Sequence, residues 1–263
     1  MSSMDAGSRK AVDATGEATL ELFRENDAYN EFLWRSLSAL SFRPCAGRVL
    51  EIGCGIGNLT RIILRSPAVE HLHGIDRDPT YVERLRGELP DPRLELSVAL
   101  AEEFCPERNC SPGGGFDVIV ASNVLEHIED DARVLRNFRR MLRHGGAAWI
   151  LVPAHPFLYC SLDRRLSHHR RYRRRDVEEL ARASDLRVAR MRHFNPLGTL
   201  GWWLNGVVLR RKILPGRQVS FYSRFGIPVS AWIDRWSPLP LGVSLLAVLS
   251  LRQDSAGNDP EWG

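Results

Sequence analysis

The chain has 263 residues, of which 44% are hydrophobic and 26% charged. That balance supports one large globular domain and excludes a disordered or collagen-like chain. The net charge of +4 is mildly basic; it suits an anionic partner but is too small to imply nucleic acid, and none is expected.

Residues 1–18 read as a flexible leader, rich in Ser, Ala, Gly and Asp. From Leu20 to Leu40 apolar residues recur every three or four positions, which predicts an amphipathic helical cap over 19–43. Arg48–Ile52 is the first predicted strand. It runs into Gly53-Cys54-Gly55-Ile56-Gly57, and helical spacing resumes at Leu59, Ile62 and Ile63. A strand, a glycine turn and a helix in that order make a ligand cradle, because glycine lets the backbone come close to a ligand.

Val69–Asp76 is the second strand and ends on an acidic residue. Pro79 starts the next helix. Arg93–Ala99 is the third strand, 106–115 a loop, and Phe116–Ala121 an apolar fourth strand of the kind buried on both faces. A long helix is predicted from Leu125 to Arg143, ended by His144-Gly145-Gly146, with a fifth strand over Ala147–Val152. Residues 154–172 read as a polar, basic loop, 176–184 as a helix and 186–194 as a sixth strand. Residues 195–240 carry Trp202, Trp203, Phe221, Tyr222, Phe225, Trp232 and Trp236, an aromatic-rich insertion before a last strand at 241–251. Residues 253–263 read as a disordered tail. Alternating strands and helices imply a doubly wound, mostly parallel α/β sheet with its ligands at the strand carboxyl ends.

The third glycine of the turn falls one place early for a dinucleotide fingerprint, with Asn58 in its place. Asp76 lies 19 residues after Gly57, where a carboxylate can take hydrogen bonds from ribose hydroxyls. Four stretches, Glu51–Gly57, Gly74-Ile75-Asp76, Phe116–His127 and Leu142–Gly146, together resemble the successive motifs of class I S-adenosylmethionine-dependent methyltransferases. The resemblance covers roughly 45–195 and implies a Rossmann-like, seven-stranded sheet over 19–252 with S-adenosylmethionine as cofactor. It places Glu51, Gly53, Gly55 and Gly57 at the methionine half, Asp76 with Arg77 at the ribose, and Asn123 closing the site. The usual acid after strand 3 is replaced by Leu100, which leaves the adenine to Glu102 or the Ala101 backbone.

Methyl transfer needs an in-line nucleophile and, for some acceptors, a base. His127 and His155 are the base candidates, each beside a strand carboxyl end. Residues 164–175 hold seven arginines in twelve positions, read either as a solvated face or as an anion-recognising cluster. His168 and Tyr172, four apart, would share a helical face. The acceptor-side candidates are Tyr29, Tyr159, His168, Arg171, Tyr172, Asn195 and Trp202. The expected acceptor is a small, partly apolar and anionic molecule; a peptide or RNA target and a non-catalytic cofactor-binding scaffold are the alternatives. The 195–240 insertion reads as a lid, with weak membrane-surface contact through 195–212 or a homodimer contact as further options.

Five cysteines form no C-x-x-C pair. They read as reduced thiols with no metal-ligand spacing, so no metal is expected. Met1–Lys10 lacks an apolar core, and no apolar run reaches 18 residues. A cytoplasmic location is the expectation.

Overall fold

The computed structural model describes residues 21, 27–41, 43–105, 115–211, 216–236 and 241–252. The leader over 1–18, the loop over 106–114 and the tail over 253–263 lie outside the described residues.

Val49, Leu50, Glu51 and Ile52 are all buried, as a central strand requires. They belong to β1 (Gly47–Ile52), which lies between β2 (Val69–Asp76) and β4 (Phe116–Ser122), parallel to both. The other strands are β3 (Leu94–Val98), β5 (Leu142–Pro153), β6 (Leu186–Phe194) and β7 (Ser244–Leu251). The order across the sheet is β3-β2-β1-β4-β5-β7-β6, and β7 is antiparallel to both neighbours. Strand order reverses between β1 and β4. Ligands of open α/β sheets bind in the crevice beyond the carboxyl ends at that point.

Each face of the sheet buries its own core. One holds Phe116, Ile119, Ile150 and Leu249 under Leu135 and Phe138 of α4 (Asp131–Met141) and Val177 of α6 (Arg174–Ala183). The other holds Val49, Trp149 and Val248 under Leu33 and Leu37 of α1 (Asp27–Leu40) and Ile63 of α2 (Thr60–Ile63). Between β2 and β3 runs α3 (Pro79–Glu88), whose N-cap Asp78 accepts from the Thr80 N–H at 2.8 Å.

The long helix expected from Leu125 is split. Leu125–His127 is one 3-10 turn, Ile128 is extended, and α4 starts only after Asp130, whose carboxylate caps it by accepting from the Arg133 N–H at 3.0 Å. The Gly145-Gly146 pair does not end a helix. It bends the start of β5, with Gly145 at φ +76° and a register shift against β4. Residues 154–172 are more ordered than a loop: a 3-10 turn spans Pro156–Leu158 and α5 spans Ser161–Arg165. The insertion is helical, with α7 (Pro196–Trp202), α8 (Gly216–Phe221) and α9 (Ile227–Trp236). Two π-helical stretches interrupt it, Trp203–Val208 and Tyr222–Gly226. Short apolar pieces with Gly and Pro hide this periodicity, because π turns shift the apolar stripe by one residue.

Among the described cysteines, Cys45, Cys54 and Cys160 are free and buried, whereas Cys105 is disulfide-bonded. The reading of five reduced thiols is therefore corrected, because an odd count still leaves room for one disulfide. It also loses its weight as support for a cytoplasmic location. No helix among the described residues is long and apolar enough to cross a membrane.

Candidate active site

The glycine turn leaves β1 at a sharp angle. The Gly53 and Cys54 N–H groups donate to the Ile75 carbonyl at 2.8 and 3.0 Å, tying the turn to β2. Gly53 stands at φ +73°, and a Cβ there would lie 2.6 Å from Val124 Cγ2. Gly57 stands at φ +85°, and a Cβ there would lie 2.4 Å from Leu85 Cδ1. Backbone sign and space both demand glycine at these two positions. Gly55 also has a positive φ, and its N–H donates to Asp76 Oδ2 at 2.8 Å. The Asp78 N–H donates to Asp76 Oδ1 at 2.9 Å. A carboxylate has about four acceptor sites, so Asp76 keeps capacity for two more donors. Burial pushes its carboxyl upward, opposed by these two backbone donors.

Beneath the turn, Glu51 is buried and accepts from the Thr60 hydroxyl at 2.6 Å. Burial, only partly offset by that bond, pushes its carboxyl up to about 8. At neutral pH Glu51 thus holds a proton until a cation or a further donor arrives. Arg77 is exposed beside Asp76. At the end of β3, the Asn137 side-chain amide donates to the Glu102 carbonyl at 2.9 Å and fixes the Ala101-Glu102 turn, while Leu100 stays exposed. Across the crevice Asn123 is exposed at φ +53°, its N–H bonded to the Leu151 carbonyl at 3.0 Å.

On the opposite side Asp163 organises a buried network. Its Oδ1 accepts from Arg171 Nε at 2.7 Å and pairs with His168 Nδ1 at 3.0 Å. Its Oδ2 accepts from the Cys160 N–H at 2.9 Å and from Trp202 Nε1 at 3.4 Å. Burial opposes its charge, but the His168 bond and the Arg171 guanidinium outweigh burial and hold its carboxyl below the usual range. Arg171 also donates to the Ala154 carbonyl at 2.9 Å and lies 4.7 Å over the Trp202 ring. Tyr172 is buried, and its hydroxyl donates to Asp131 at 2.8 Å. The arginine run therefore does not act as one cluster. Arg171 serves Asp163, Arg170 serves Asp131 at 3.1 Å, and Arg164, Arg165, Arg173, Arg174 and Arg175 are exposed. His168 and Tyr172 share no helix: 166–173 is irregular, and Tyr172 bridges to Ala154.

Glu126 and His127 face this network from the turn after β4. The His169 N–H donates to the Glu126 carbonyl at 2.7 Å, and the His127 ring meets His168 edge-on at 4.8 Å. Burial, reinforced by the charges of His168 and Arg77, pushes His127 down to about 3, so it is a weak base near neutrality. His155 stacks flat on His193 at 5.0 Å, and burial followed by the Arg171 charge lowers it too. Tyr159 donates to the His168 carbonyl at 2.7 Å. Asn195, at φ +63°, accepts from the Gly198 N–H and the Ser230 hydroxyl at 3.0 Å each and from the Tyr222 hydroxyl, which fastens the insertion to the end of β6. Tyr29 packs edge-on against Phe194 at 6.1 Å; burial and then Tyr222 and Glu126 raise its hydroxyl.

The turn, Glu51 and Asp76 thus lie together at the carboxyl ends of β1 and β2, with Asn123 just past the end of β4. There a cradle that a Cβ would fill adjoins a buried carboxyl awaiting a positive partner and an acceptor-rich Asp. These residues fit S-adenosylmethionine, whose amino acid end and ribose supply that charge and those donors. A family model described as "Methyltransferase domain" matches residues 50–148. Residues 50–148 therefore carry a methyltransferase domain.

The chain is 35% identical over 105 residues to a ubiquinone biosynthesis O-methyltransferase of Aeromonas salmonicida, covering 39% of this chain and 42% of that protein. It is 35% identical over 105 residues to a trans-aconitate 2-methyltransferase of Methylobacterium radiotolerans, covering 40% and 37%. The aligned region spans less than half the length of these curated relatives. Among solved structures, the chain resembles one from the complex between the Haloferax volcanii Trm112 methyltransferase activator and a methyltransferase (TM-score 0.64, 16% identity, 92% of this chain and 98% of that one). At that identity the likeness is one of fold. The family match takes in the glycine turn, Asp76 and Asn123; the Asp163 network and the insertion fall outside it.

Glu126 lies within the Phe116–His127 stretch and Asp163 just before the arginine run, yet spacing alone assigns neither a role. Two acids beside the named histidines were the available signal. Nothing in the sequence pairs Asp163 with Arg171 and Trp202, which α5 and α7 bring together.

Proposed function

We propose that the protein transfers the S-methyl group of S-adenosylmethionine to a nucleophile of a small, partly apolar acceptor. The observation that carries this reading is Asp76, bonded to Gly55 across a turn where Gly53 and Gly57 leave no room for a side chain. The residues that would hold the cofactor are Glu51, the three glycines, Asp76, Arg77, the Ala101-Glu102 turn and Asn123. When bound, the cofactor supplies an activated methyl. The chain's own part is to orient it, exclude water and place the acceptor in line. The names of the relatives favour an oxygen nucleophile. His127, at about 3, fits no general-base role at neutral pH, so proximity supplies most of the effect and His155 remains the base candidate. Incubating the protein with S-adenosylmethionine and a panel of phenols, carboxylic acids and amines tests the reading. S-adenosylhomocysteine formed only with an acceptor supports it; none with any member of the panel, despite saturable cofactor binding, counts for the scaffold alternative.

The outer face of the insertion supports a membrane-surface role for the same enzyme. Leu200, Trp203, Leu204 and Val208 are exposed at helical spacing, as are Phe221, Phe225, Val229 and Trp232. α9 packs on α7, so the two stripes belong to one helical layer. Over 196–236 there are six basic residues (Arg210, Arg211, Lys212, Arg217, Arg224, Arg235) and one acid, Asp234. Aromatic and aliphatic exposure in a segment whose Arg210, Arg211, Arg217 and Arg224 are also exposed matches an anionic lipid interface. Cosedimentation with phosphatidylglycerol vesicles, weakened by salt and by Trp203→Ser with Phe225→Ser, is the expected result. Equal recovery with phosphatidylcholine vesicles would contradict it.

A further inference from the structure

Glu126 is fully buried, and neither oxygen of its carboxyl meets a donor from another residue. Buried carboxyls are almost always satisfied, so an orphaned one calls for a partner. His168 Nε2 stands 3.9 Å from Glu126 Oε1, beyond hydrogen-bond reach. The other ring nitrogen of His168, Nδ1, is committed to Asp163 Oδ1 at 3.0 Å. If Nδ1 donates to that carboxylate, Nε2 presents a lone pair, and it presents it to another acceptor. Two acceptors facing each other across a buried gap need a proton or a cation between them, and at 3.9 Å they stand too far apart to share a proton in a hydrogen bond. His127 completes the group: one ligand atom from each of Glu126, His127 and His168 lies within 4.8 Å of the other two.

We infer that Glu126, His127 and His168 form a binding site for a divalent transition ion of the zinc class. Two imidazoles and one carboxylate suit such an ion, and they leave a coordination position open. The Asp163 carboxylate behind His168 is the outer partner that metal-binding histidines normally have, fixing the tautomer and ring orientation. Bonds of about 2.1 Å bring ligand atoms to roughly 3.4 Å separation in a tetrahedral site, so side-chain shifts of about 1 Å close it. The Arg171 charge does not oppose the ion, because Asp163 already holds it. The two loops cannot drift apart, since the His169 N–H bonds the Glu126 carbonyl at 2.7 Å. On the methyl-transfer reading, the open position would take an acceptor oxygen and ease loss of its proton; the site itself does not rest on that reading.

The test is titration of the chelator-treated full chain with Co2+, without cofactor or acceptor, followed by visible absorption and by competition with Zn2+. One equivalent of Co2+ should give visible d–d bands without the intense near-ultraviolet absorption of thiolate ligation, and Zn2+ should displace it. Glu126→Gln and His127→Gln should each weaken binding by at least about 10-fold while keeping the wild-type circular dichroism. Absence of bands in the wild type, or undiminished binding in a folded Glu126→Gln or His127→Gln, overturns the site. S-adenosylhomocysteine binding, measured separately, tells failure of this site from failure of the cofactor reading.

Discussion

Asp163→Ala should lower stability by about 3–5 kcal/mol, because it strands a buried guanidinium. The Arg171 side chain is 1% exposed, and its Nε bond to Asp163 is the one ion pair it makes among the described residues. The same change removes the acceptor for the Cys160 N–H and for Trp202 Nε1 and releases His168 Nδ1. A domain of this size loses roughly 2–4 °C per kcal/mol, so thermal unfolding should begin about 6–20 °C lower. Removing both charges should hurt less: Asp163→Leu with Arg171→Met should melt above Asp163→Ala, since no charge is then left unpaired in the interior. A single variant within about 2 °C of the wild type would show that Arg171 reaches water and that the network is not a buried one.

Asp76→Ala should weaken S-adenosylmethionine binding by at least about 100-fold. Hydrogen bonds to a charged acceptor contribute about 1.5–3 kcal/mol each, and each 1.4 kcal/mol is tenfold in affinity. The carboxylate holds the Gly55 and Asp78 N–H groups at 2.8 and 2.9 Å, so the variant loses the ribose acceptors and loosens the turn together. Asp76→Asn should fall between. Its amide keeps one accepting oxygen, but its NH2 group then faces a backbone N–H. Calorimetric titration of the three proteins separates the cases. A dissociation constant unchanged within about threefold in Asp76→Ala would remove Asp76 from the cofactor site.

The cofactor half of the domain was legible in the sequence because backbone rules fix it. A strand buried on both faces must be apolar, a turn with positive φ at Gly53 and Gly57 must be glycine, and an acid at the end of β2 stands out. These constraints act over a few residues, so spacing reveals them. The acceptor side follows other rules. Asp163, Arg171, Glu126 and Trp202 are separated by up to 76 positions and meet only through tertiary packing. The arginine run shows the difference most clearly. Its density suggests one anion-binding surface, yet Arg171 is spent inside the protein, Arg170 on Asp131, and the remaining five point outward. The helices of the insertion are hidden for a local reason: π turns at Trp203–Val208 and Tyr222–Gly226 break the 3.6-residue period on which helix reading depends. The early start given to α4 had a similar cause, because Leu125 and Ile128 match a helical stripe while Asp130 caps the true helix.

The most direct measurement is a crystal structure of the protein with S-adenosylhomocysteine. The expected result is ribose hydroxyls on Asp76, the amino acid end over Gly53–Gly57 and Glu51, and the sulfur open toward Asn123 and the Glu126–His168 side. Ligand density elsewhere, or an Asp76 carboxylate turned away from the ribose, would contradict it.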